Sequence, residues 1–420
     1  MIYFSTRNAS PPASLKTALL DGLAPDGGLY LPEQLMPLPD GWQGAPSLAG
    51  LGAHVLAPFV SDTVPNAEAL VRDAVNFETP LVRLDDDLFV LELFHGPTLS
   101  FKDVGARTLA RFAHALLEPG ERLTILVATS GDTGSAVADG FSGLPGVRVV
   151  LLFPEGRVSE VQERQLAIER PGVTPVRVRG TFDDCQRLVK TAFEDVRFRA
   201  HGRLSSANSI NIGRLLPQSL YYLDAVRQLG DTPRFVVPSG NLGNLTAGVM
   251  AHLAGMPAAG FVAAHNANRG FADFLAGDDL RPADTVQTLS NAMDVGRPSN
   301  AERLTALLPP ERLRALVHGT VTDDATTRAS IRDAYDRYGY LACPHTAVGL
   351  DAVRRLRGEG ASGPMVVLST AHPAKFPDVV AEATGVTPPE PEALARLRGL
   401  PDVAVTVEPT LDALHDAAFA

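Results

Sequence analysis

The sequence predicts an α/β protein with parallel, doubly wound sheets. From about residue 88 onward, short apolar runs rich in β-branched residues alternate with segments of helical periodicity, which is typical of such sheets. Some runs are apolar throughout, as parallel strands are when helices cover both faces. Ligands of these sheets bind beyond the carboxyl ends of the strands, so chemistry is expected in the loops that follow the runs. The candidate strands are 123–128, 147–153, 234–237, 260–264 and 365–368.

The length of the chain predicts about two or three domains. A chain of 420 residues exceeds what one hydrophobic core usually organises, and 45% hydrophobic residues can fill several cores. Residues 1–85 mix turn signals, such as Pro-Asp-Gly-Gly at 25–28, with short apolar segments, which predicts a separate N-terminal region. A smaller α/β domain is predicted over 86–232, and a larger one with a C-terminal segment over 233–420.

Composition and charge exclude several classes of protein. The formal net charge of -11 argues against nucleic acid as a partner, because phosphate backbones recruit clustered Lys and Arg. The two cysteines, Cys185 and Cys343, are far apart, so neither a disulfide framework nor a metal site is expected. No apolar run approaches the ~20 residues that span a bilayer, and the N-terminus lacks the pattern of a signal peptide. We therefore expect a cytoplasmic protein without a membrane partner.

The first candidate site is a lysine at the start of a predicted helix. An apolar pattern at i, i+3, i+4 and i+7 from Leu109 follows the segment 95–103. Ser100 and Asp103 have the S-x-x-D spacing of a capping box, which would place Lys102 in the first helical turn. The positive end of a helix disfavours an ammonium, and a lysine with a lowered pKa suits Schiff-base chemistry because the neutral amine is the nucleophile. From spacing alone, the alternative is a surface lysine after a helix cap.

A glycine-containing loop follows the predicted strand 123–128. Its sequence is Ser-Gly-Asp-Thr-Gly over 130–134, and an Ala-rich helix is expected after it. The two glycines allow the backbone to approach a ligand, while hydroxyls and helix-start N–H groups suit a carboxylate. The alternative is a tight β–α turn without a ligand.

A second such loop follows the predicted strand 234–237. It has the sequence Ser-Gly-Asn-Leu-Gly-Asn over 239–244 and precedes a helical segment. Gly240 and Gly243 favour a nest of backbone amides at a helix N-terminus, which suits a phosphate. The spacing matches neither G-x-G-x-x-G nor G-x-x-x-x-G-K-[ST], so dinucleotide-binding and P-loop interpretations fail. The phosphate of a different cofactor remains.

Two further segments are weak signals by themselves. Ala-His-Pro-Ala-Lys-Phe at 371–376 follows the predicted strand 365–368, and Asn-Ile-Gly-Arg-Leu-Leu-Pro-Gln spans 211–218. Each alone would be a loop with a cap. Arg214 could simply be a solvated helix residue.

Taken together, the five segments resemble those of threonine synthases, which are fold-type II enzymes that depend on pyridoxal 5′-phosphate (PLP). The resemblance covers most of the chain, including Tyr-Phe-Ser-Thr-Arg at 3–7 and Gly-Leu-Tyr-Leu-Pro at 28–32. Phe-Lys-Asp at 101–103 and the 239–244 loop are shared more loosely with dehydratases and cysteine synthases, whereas the other three motifs are narrower. The implied fold is the tryptophan synthase β-like fold, with doubly wound α/β sheets in two domains plus an N-terminal region.

The same resemblance implies a role for each motif. It implies that PLP forms a Schiff base with Lys102 and that the Thr370 hydroxyl lies beside the pyridine nitrogen, whereas Lys375 is not the Schiff-base lysine. Asn211 and Arg214 are the implied contacts of a substrate phosphate. The implied contacts of the cofactor phosphate are Ser239, Gly240, Asn241, Leu242, Gly243 and Asn244. Those of the substrate α-carboxylate are Ser130, Gly131, Asp132 and Thr133.

The implied activity is the last step of threonine biosynthesis. O-Phospho-L-homoserine and water would become L-threonine and phosphate by γ-elimination and β-addition, which is carbon–oxygen lyase chemistry. A threonine or serine dehydratase is the nearest alternative, and Arg214 in its motif favours the synthase because the dehydratase substrate carries no phosphate. A phospho-lyase that diverts the substrate to 2-oxobutyrate would share every motif. A PLP-binding scaffold without activity would more readily lack Lys102. A monomer or homodimer is expected.

Overall fold

The computed structural model describes residues 1–419, and its strands confirm the α/β prediction. All five candidate runs are strands, and four of them extend one residue beyond the predicted end. The strands are β1 Ile2–Ser5, β2 Ala13–Ser14, β3 Tyr30–Pro32, β4 Leu81–Asp85, β5 Leu88–Glu92, β6 Leu123–Ala128, β7 Val147–Pro154, β8 Val173–Val178, β9 Arg203–Ser205, β10 Arg234–Pro238, β11 Gly260–His265, β12 Val317–Val321, β13 Met365–Ser369 and β14 Val405–Val407.

Helices connect these strands and cover the sheets. They are α1 Leu15–Asp21, α2 Leu48–Val60, α3 Ala67–Ala74, α4 Lys102–Leu116, α5 Asp132–Phe141, α6 Glu160–Ala167, α7 Phe182–Glu194, α8 Val196–Arg199, α9 Ile212–Leu215, α10 Ser219–Leu229, α11 Gly243–Leu253, α12 Gly270–Ala276, α13 Ala301–Leu307, α14 Pro310–Leu316, α15 Asp324–Tyr338, α16 Pro344–Gly358, α17 Pro377–Thr384, α18 Glu392–Ala395 and α19 Leu411–Phe419. No helix within residues 1–419 is long and apolar enough to cross a membrane.

The larger sheet has six strands in the order β12-β11-β10-β13-β5-β4. Neighbouring strands of this sheet are parallel, except that β4 pairs antiparallel with β5. Successive side chains of β10 point to opposite faces, because the side-chain period of a strand is two. Val236 packs with α16 residues such as Val348, whereas Phe235 and Val237 join the main core on the other face. Both faces are therefore covered, as doubly wound sheets require.

The smaller sheet has five parallel strands in the order β14-β8-β7-β6-β9. On one face, Leu126 and Val150 pack against α7 and the C-terminal helix α19. On the other face, Ile125 and Val149 join the main core together with α4 and α5. The uniform burial of β6 follows from this double cover, so its apolar sequence is the one that a central parallel strand needs.

Two segments of the chain belong to a sheet that is distant in sequence. The hairpin of β4 and β5 joins the sheet otherwise built from residues 234–369, through pairing of β5 with β13. Strand β14 returns to the smaller sheet and pairs with β8. Each of the two larger sheets therefore contains strands that are distant in sequence from the rest of that sheet. The division of the chain at 85/86 and 232/233 stays a prediction.

The N-terminal region contains its own small sheet, in the order β2-β1-β3, and docks on the rest through buried contacts. The fully buried side chain of Arg303 makes one such connection. Its Nε donates to the carbonyl oxygen of Tyr30 at 3.1 Å, and its Nη1 donates to that of Ser209 at 3.0 Å. Arg303 therefore fixes the loop before α9 against the N-terminal region, and that loop borders the cavity described next.

Candidate active site

A cavity of about 580 Å³ lies where loops that follow β6, β10 and β13 meet. This is the position expected for a ligand site, because the carboxyl ends of parallel strands share one edge of each sheet. The cavity brings together most of the residues singled out from the sequence. Those that line it are Lys102, Ser130, Asp132, Thr133, Arg214, Ser239, Gly240, Asn241, Leu242, Gly243, Asn244 and Thr370. Gly131 and Asn211 lie outside the lining.

Lys102 is the first residue of α4, so the prediction that it lies in the first helical turn is confirmed. Burial lowers the pKa of its amine to about 8. The side chain is only half-buried by surface area because it opens onto the cavity, yet protein surrounds it and hydration is lost. The Asp132 carboxylate opposes this effect, whereas Arg214 and Lys375 reinforce it. A neutral amine is therefore available near physiological pH.

The capping box predicted for this helix is wrong. Phe101 is the N-cap residue and no side chain caps the helix, while the Ser100 hydroxyl has no hydrogen-bond partner within residues 1–419. The Asp103 carboxylate instead accepts the backbone N–H of Thr98 at 2.9 Å and the Thr98 hydroxyl. Gly96 leaves room for this arrangement, since a Cβ there would lie 2.5 Å from Asp103 Oδ2. The Asp103 side chain thus bonds the preceding loop and does not cap the helix.

The loop of Lys102 is tied to the loop that carries Thr370. The backbone N–H of Phe101 donates to the carbonyl oxygen of Thr370 at 3.0 Å, and the N–H of His372 donates to that of Leu99 at 3.1 Å. Leu99 itself has a left-handed φ of 61°. These contacts hold the amine of Lys102 and the hydroxyl-bearing Thr370 against the same cavity.

The loop over 130–134 is held by the residue before it. Thr129 Oγ1 accepts the backbone N–H of Gly131 at 3.0 Å and of Gly134 at 2.8 Å. Gly131 has a φ of 133°, and a Cβ there would lie 2.6 Å from Gln162, so glycine is required at this turn. Ser130 and Thr133 face the cavity at the start of α5, where hydroxyls and helix N–H groups can hold a carboxylate.

The loop over 239–244 lines the cavity and leads into the N-terminus of α11. Leu242, the N-cap residue, has a left-handed φ of 61°, which turns the chain into the helix at Gly243. Gly240 approaches the backbone of Met293, where a Cβ would lie 2.8 Å from the Met293 Cα. Tyr221 and Tyr222 both donate to Asn244 Oδ1 and fix its amide, and the buried Asn244 Nδ2 has no partner within residues 1–419. That unused donor and the helix N–H groups fit an anion.

Arg214 is a buried cation that forms no ion pair among the described residues. Its Nη1 donates to the carbonyl oxygen of Ala207, while its Nε has no hydrogen-bond partner and no carboxylate of residues 1–419 forms an ion pair with it. Burial lowers the pKa of its guanidinium to about 10. Gly105, on α4, permits the close approach, because a Cβ there would lie 2.5 Å from the Arg214 carbonyl oxygen. A buried, unpaired guanidinium is costly unless an anion completes the site.

Asn208, Ser209 and Gln218 line the cavity with Arg214, and the sequence did not single them out. The side-chain oxygen of Asn208 is buried and has no hydrogen-bond partner among the described residues. All three lie in or beside the segment 211–218. Proximity to that motif was therefore a usable signal, although which side chains face inward depends on the short helix α9.

Asn211 lies outside this lining, and its polar atoms are engaged elsewhere. Its Nδ2 donates to the carbonyl oxygens of Leu19 at 2.9 Å and Ser206 at 3.0 Å, and its Oδ1 accepts the N–H of Gly213 at 2.9 Å. It is the N-cap residue of α9. A contact of Asn211 with the substrate phosphate stays a prediction, and the geometry favours a structural role.

We expect Asn211→Ala to lower the free energy of unfolding by about 1–3 kcal/mol, because it leaves buried backbone groups without partners. Urea denaturation measures the loss. The matched control is Asn208→Ala, which removes a half-buried cavity side chain. That variant should keep its stability and raise KM. If Asn211→Ala kept full stability and raised KM instead, the structural role would be disproved.

A buried polar cluster lies behind Lys102. Lys375 Nζ forms an ion pair with Asp132 Oδ1 at 2.7 Å, and Gln162 Nε2 donates to the same oxygen at 2.9 Å. His345 borders the cavity, and burial lowers the pKa of its imidazole to about 4, so the ring is neutral at physiological pH. Only tertiary contact reveals Gln162 and His345, whereas Lys375 stood in a motif and is one of few lysines in the chain.

A family model described as "Pyridoxal-phosphate dependent enzyme" matches residues 74–371, and with this cavity it defines a PLP-dependent enzyme of fold type II. Models described as "Threonine synthase N terminus" and "Threonine synthase, C-terminal" match residues 2–74 and 346–417. The threonine synthase of Serratia marcescens is 43% identical over 84% of this chain and 83% of its own length. The chain belongs to the threonine synthase family.

Other relatives agree over the full length. The threonine synthase of Escherichia coli (strain K12) is 39% identical over 96% of this chain and 95% of its own. The crystal structure of PLP-bound threonine synthase from Brucella melitensis superposes with a TM-score of 0.92 at 37% identity and covers 100% of both chains. The predictions of family, fold type and cofactor are therefore confirmed. The amine of Lys102 and the free amide donor of Asn244 fit PLP, whose aldehyde and phosphate need such partners.

Proposed function

We propose that this protein converts O-phospho-L-homoserine and water into L-threonine and phosphate. In this reaction the C–O bond at Cγ breaks and phosphate leaves, Cβ loses one hydrogen as a proton and gains the hydroxyl of water, and Cγ gains a proton to become a methyl group. The observation that carries the proposal is the buried Arg214 guanidinium, whose Nε has no hydrogen-bond partner within residues 1–419 and which faces the same cavity as Lys102. A substrate phosphate supplies the missing anion. The enzyme is then a carbon–oxygen lyase that acts on a phosphorylated amino acid.

The chain's residues divide the work of binding. Asn244 and the start of α11 would hold the cofactor phosphate, while Arg214 with Asn208 and Ser209 would hold the phosphate of the substrate. Ser130 and Thr133 would bind the α-carboxylate at the start of α5. Two separate phosphate positions in one cavity orient the amino acid between them, which fixes the Cα–H bond relative to Lys102.

Lys102 is the proposed proton carrier at Cα. When bound, PLP supplies an electron sink for bond breaking next to the amino group. The pKa of Lys102 near 8 places its amine within reach of both protonation states, which a general acid–base group needs. The neighbouring His345 is neutral and therefore does not compete for that proton at neutral pH.

The experiment that tests the proposal is a product assay on the purified holoenzyme with O-phospho-L-homoserine. Phosphate, threonine and 2-oxobutyrate are followed together, and L-threonine and L-serine are offered separately with 2-oxobutyrate and pyruvate as their respective products. Threonine and phosphate in equal amounts support the proposal. Phosphate with 2-oxobutyrate makes the protein a phospho-lyase, and 2-oxobutyrate from threonine makes it a dehydratase. PLP binding without turnover of any of these makes it a scaffold.

The cellular location and the partner of the protein are also proposals. Cys185 and Cys343 are buried free thiols, which suits the reducing cytoplasm that we propose as the location. The small-molecule substrate is the proposed partner. A monomer or homodimer stays a prediction.

A further inference from the structure

Lys375 is a buried lysine that pairs with a carboxylate at the border of the cavity. Its side chain has no exposed surface, and its Nζ pairs with Asp132 Oδ1 at 2.7 Å and donates to the carbonyl oxygen of Thr98 at 3.0 Å. Gln162 Nε2 donates to the same Asp132 oxygen at 2.9 Å. The Asp132 carboxylate, in turn, borders the cavity into which Lys102 opens.

Asp132 therefore lies between two lysines. Its charge stabilises the ammonium form of Lys102, whereas the charges of Lys375 and Arg214 act in the opposite direction. Both lysines help to hold the pKa of Asp132 well below its usual range, against the effect of its own burial. The carboxylate is ionised, so which lysine neutralises it decides the charge state of the other.

Asp183, Asp284, Asp294 and Arg297 also line the cavity, but the charges that shift the pKa of Lys102 are those of Asp132, Arg214 and Lys375. His345, on α16, is kept neutral by burial, which lowers its pKa to about 4. Asp103, the next residue of α4, has a pKa raised to about 7 by burial, and its carboxyl group is bonded to Thr98. Arg214 opposes a charge on Lys102 from the side of α9.

We propose that Lys375 is a positioning residue whose ammonium pairs with the Asp132 carboxylate and so weakens the stabilisation of a charged Lys102 by that carboxylate, which lets Lys102 keep a neutral amine able to capture PLP. The inference deepens the proposed function, because it rests on Lys102 as the amine that receives the cofactor. It does not depend on the identity of the substrate.

Without Lys375, the Asp132 carboxylate should pair with Lys102 instead. An opposite charge at close range typically raises a lysine pKa by about 1 pH unit or more, and each unit reduces the neutral fraction below the pKa tenfold. Lys375→Met should therefore slow capture of PLP by the apoenzyme at pH 7 by about tenfold or more. Lys375→Met combined with Asp132→Asn removes both charges and should restore capture to near the wild-type rate.

The experiment uses the full-length apoenzyme of the wild type, Lys375→Met, Lys375→Arg and the double variant. Capture of added PLP is followed by stopped-flow absorbance between pH 6 and 10. The pH-dependent acylation of Lys102 by an amine-reactive acylating reagent is measured by mass spectrometry. We expect the midpoint of both profiles to rise in Lys375→Met and to return in Lys375→Arg and the double variant. An unchanged midpoint in Lys375→Met, or a double variant as slow as the single one, overturns the proposal.

Lys375→Met leaves a buried carboxylate without its partner, which can prevent folding. Asp132→Asn is a second variant that tests the proposal in that case. In Asp132→Asn the unpaired Lys375 ammonium remains, and the midpoint for Lys102 should fall. An unchanged or higher midpoint in Asp132→Asn contradicts the proposal. These measurements contain no amino-acid substrate, so a failed product assay would leave their outcome untouched.

Discussion

Lys102→Ala is expected to reduce threonine formation from O-phospho-L-homoserine by at least about a thousandfold, because it removes both the amine that binds PLP and the proton carrier at Cα. The fold should survive. The Lys102 side chain opens onto the cavity rather than into a core, so truncation to alanine leaves no buried group without a partner. The product assay measures the loss, and thermal unfolding followed by circular dichroism checks the fold.

Lys190→Ala is the matched control for this substitution. Lys190 lies on α7 and is exposed, so the same truncation should change neither turnover nor melting temperature. Substantial threonine formation by Lys102→Ala would show that another group carries the chemistry. Lys375 would then be the first to examine, since it is the other buried lysine beside the cavity.

Arg214→Met should have the second-largest effect, lowering kcat/KM for the phosphorylated substrate by about 10² to 10⁴. Two charge-assisted hydrogen bonds to phosphate contribute about 1.5–3 kcal/mol each, and each 1.4 kcal/mol is a factor of ten. The apoenzyme should meanwhile melt at the wild-type temperature or higher. Methionine fills most of the space without burying an unpaired charge, which offsets the lost hydrogen bond to Ala207.

Arg303→Met separates a binding role from a structural one. Arg303 is as deeply buried as Arg214, but its guanidinium donates to the carbonyl oxygens of Tyr30, Ser209 and Ile210. Its loss should lower the melting temperature, because several buried acceptors then have no partner. If Arg214→Met were as destabilising as Arg303→Met, Arg214 would be a structural residue and the proposed phosphate site would lose its main support.

The strands and the loops that carry the site could be predicted from the sequence because both depend on local patterns. Mainly apolar runs identified β6 and β7, and glycines at the loops after β6 and β10 marked the places where the backbone turns tightly. Family motifs then supplied the roles, which no periodicity contains. Most of the candidate residues consequently line one cavity.

The errors arose where a partner distant in sequence decides the conformation. The spacing of Ser100 and Asp103 fits a capping box, but Ser100 pairs with the distant Ala371, and the Asp103 carboxylate bonds Thr98 within the loop that this pairing holds. A distant partner also engages Asn211, which bonds Leu19 in α1, while its contact with the substrate phosphate stays a prediction. Gln162 and His345 were missed for the same reason, since nothing in their local sequence indicates that they meet near Asp132.

The return of β14 to the smaller sheet also determines the order in which that sheet can be completed. A ribosome releases the segment that forms β7 and β8 long before residues 405–407, so β8 has no neighbour on its outer side during most of synthesis. Such an open edge can pair with other chains. Strand β8 becomes an interior strand only when residues 405–407 have been made, and α19 then covers the junction.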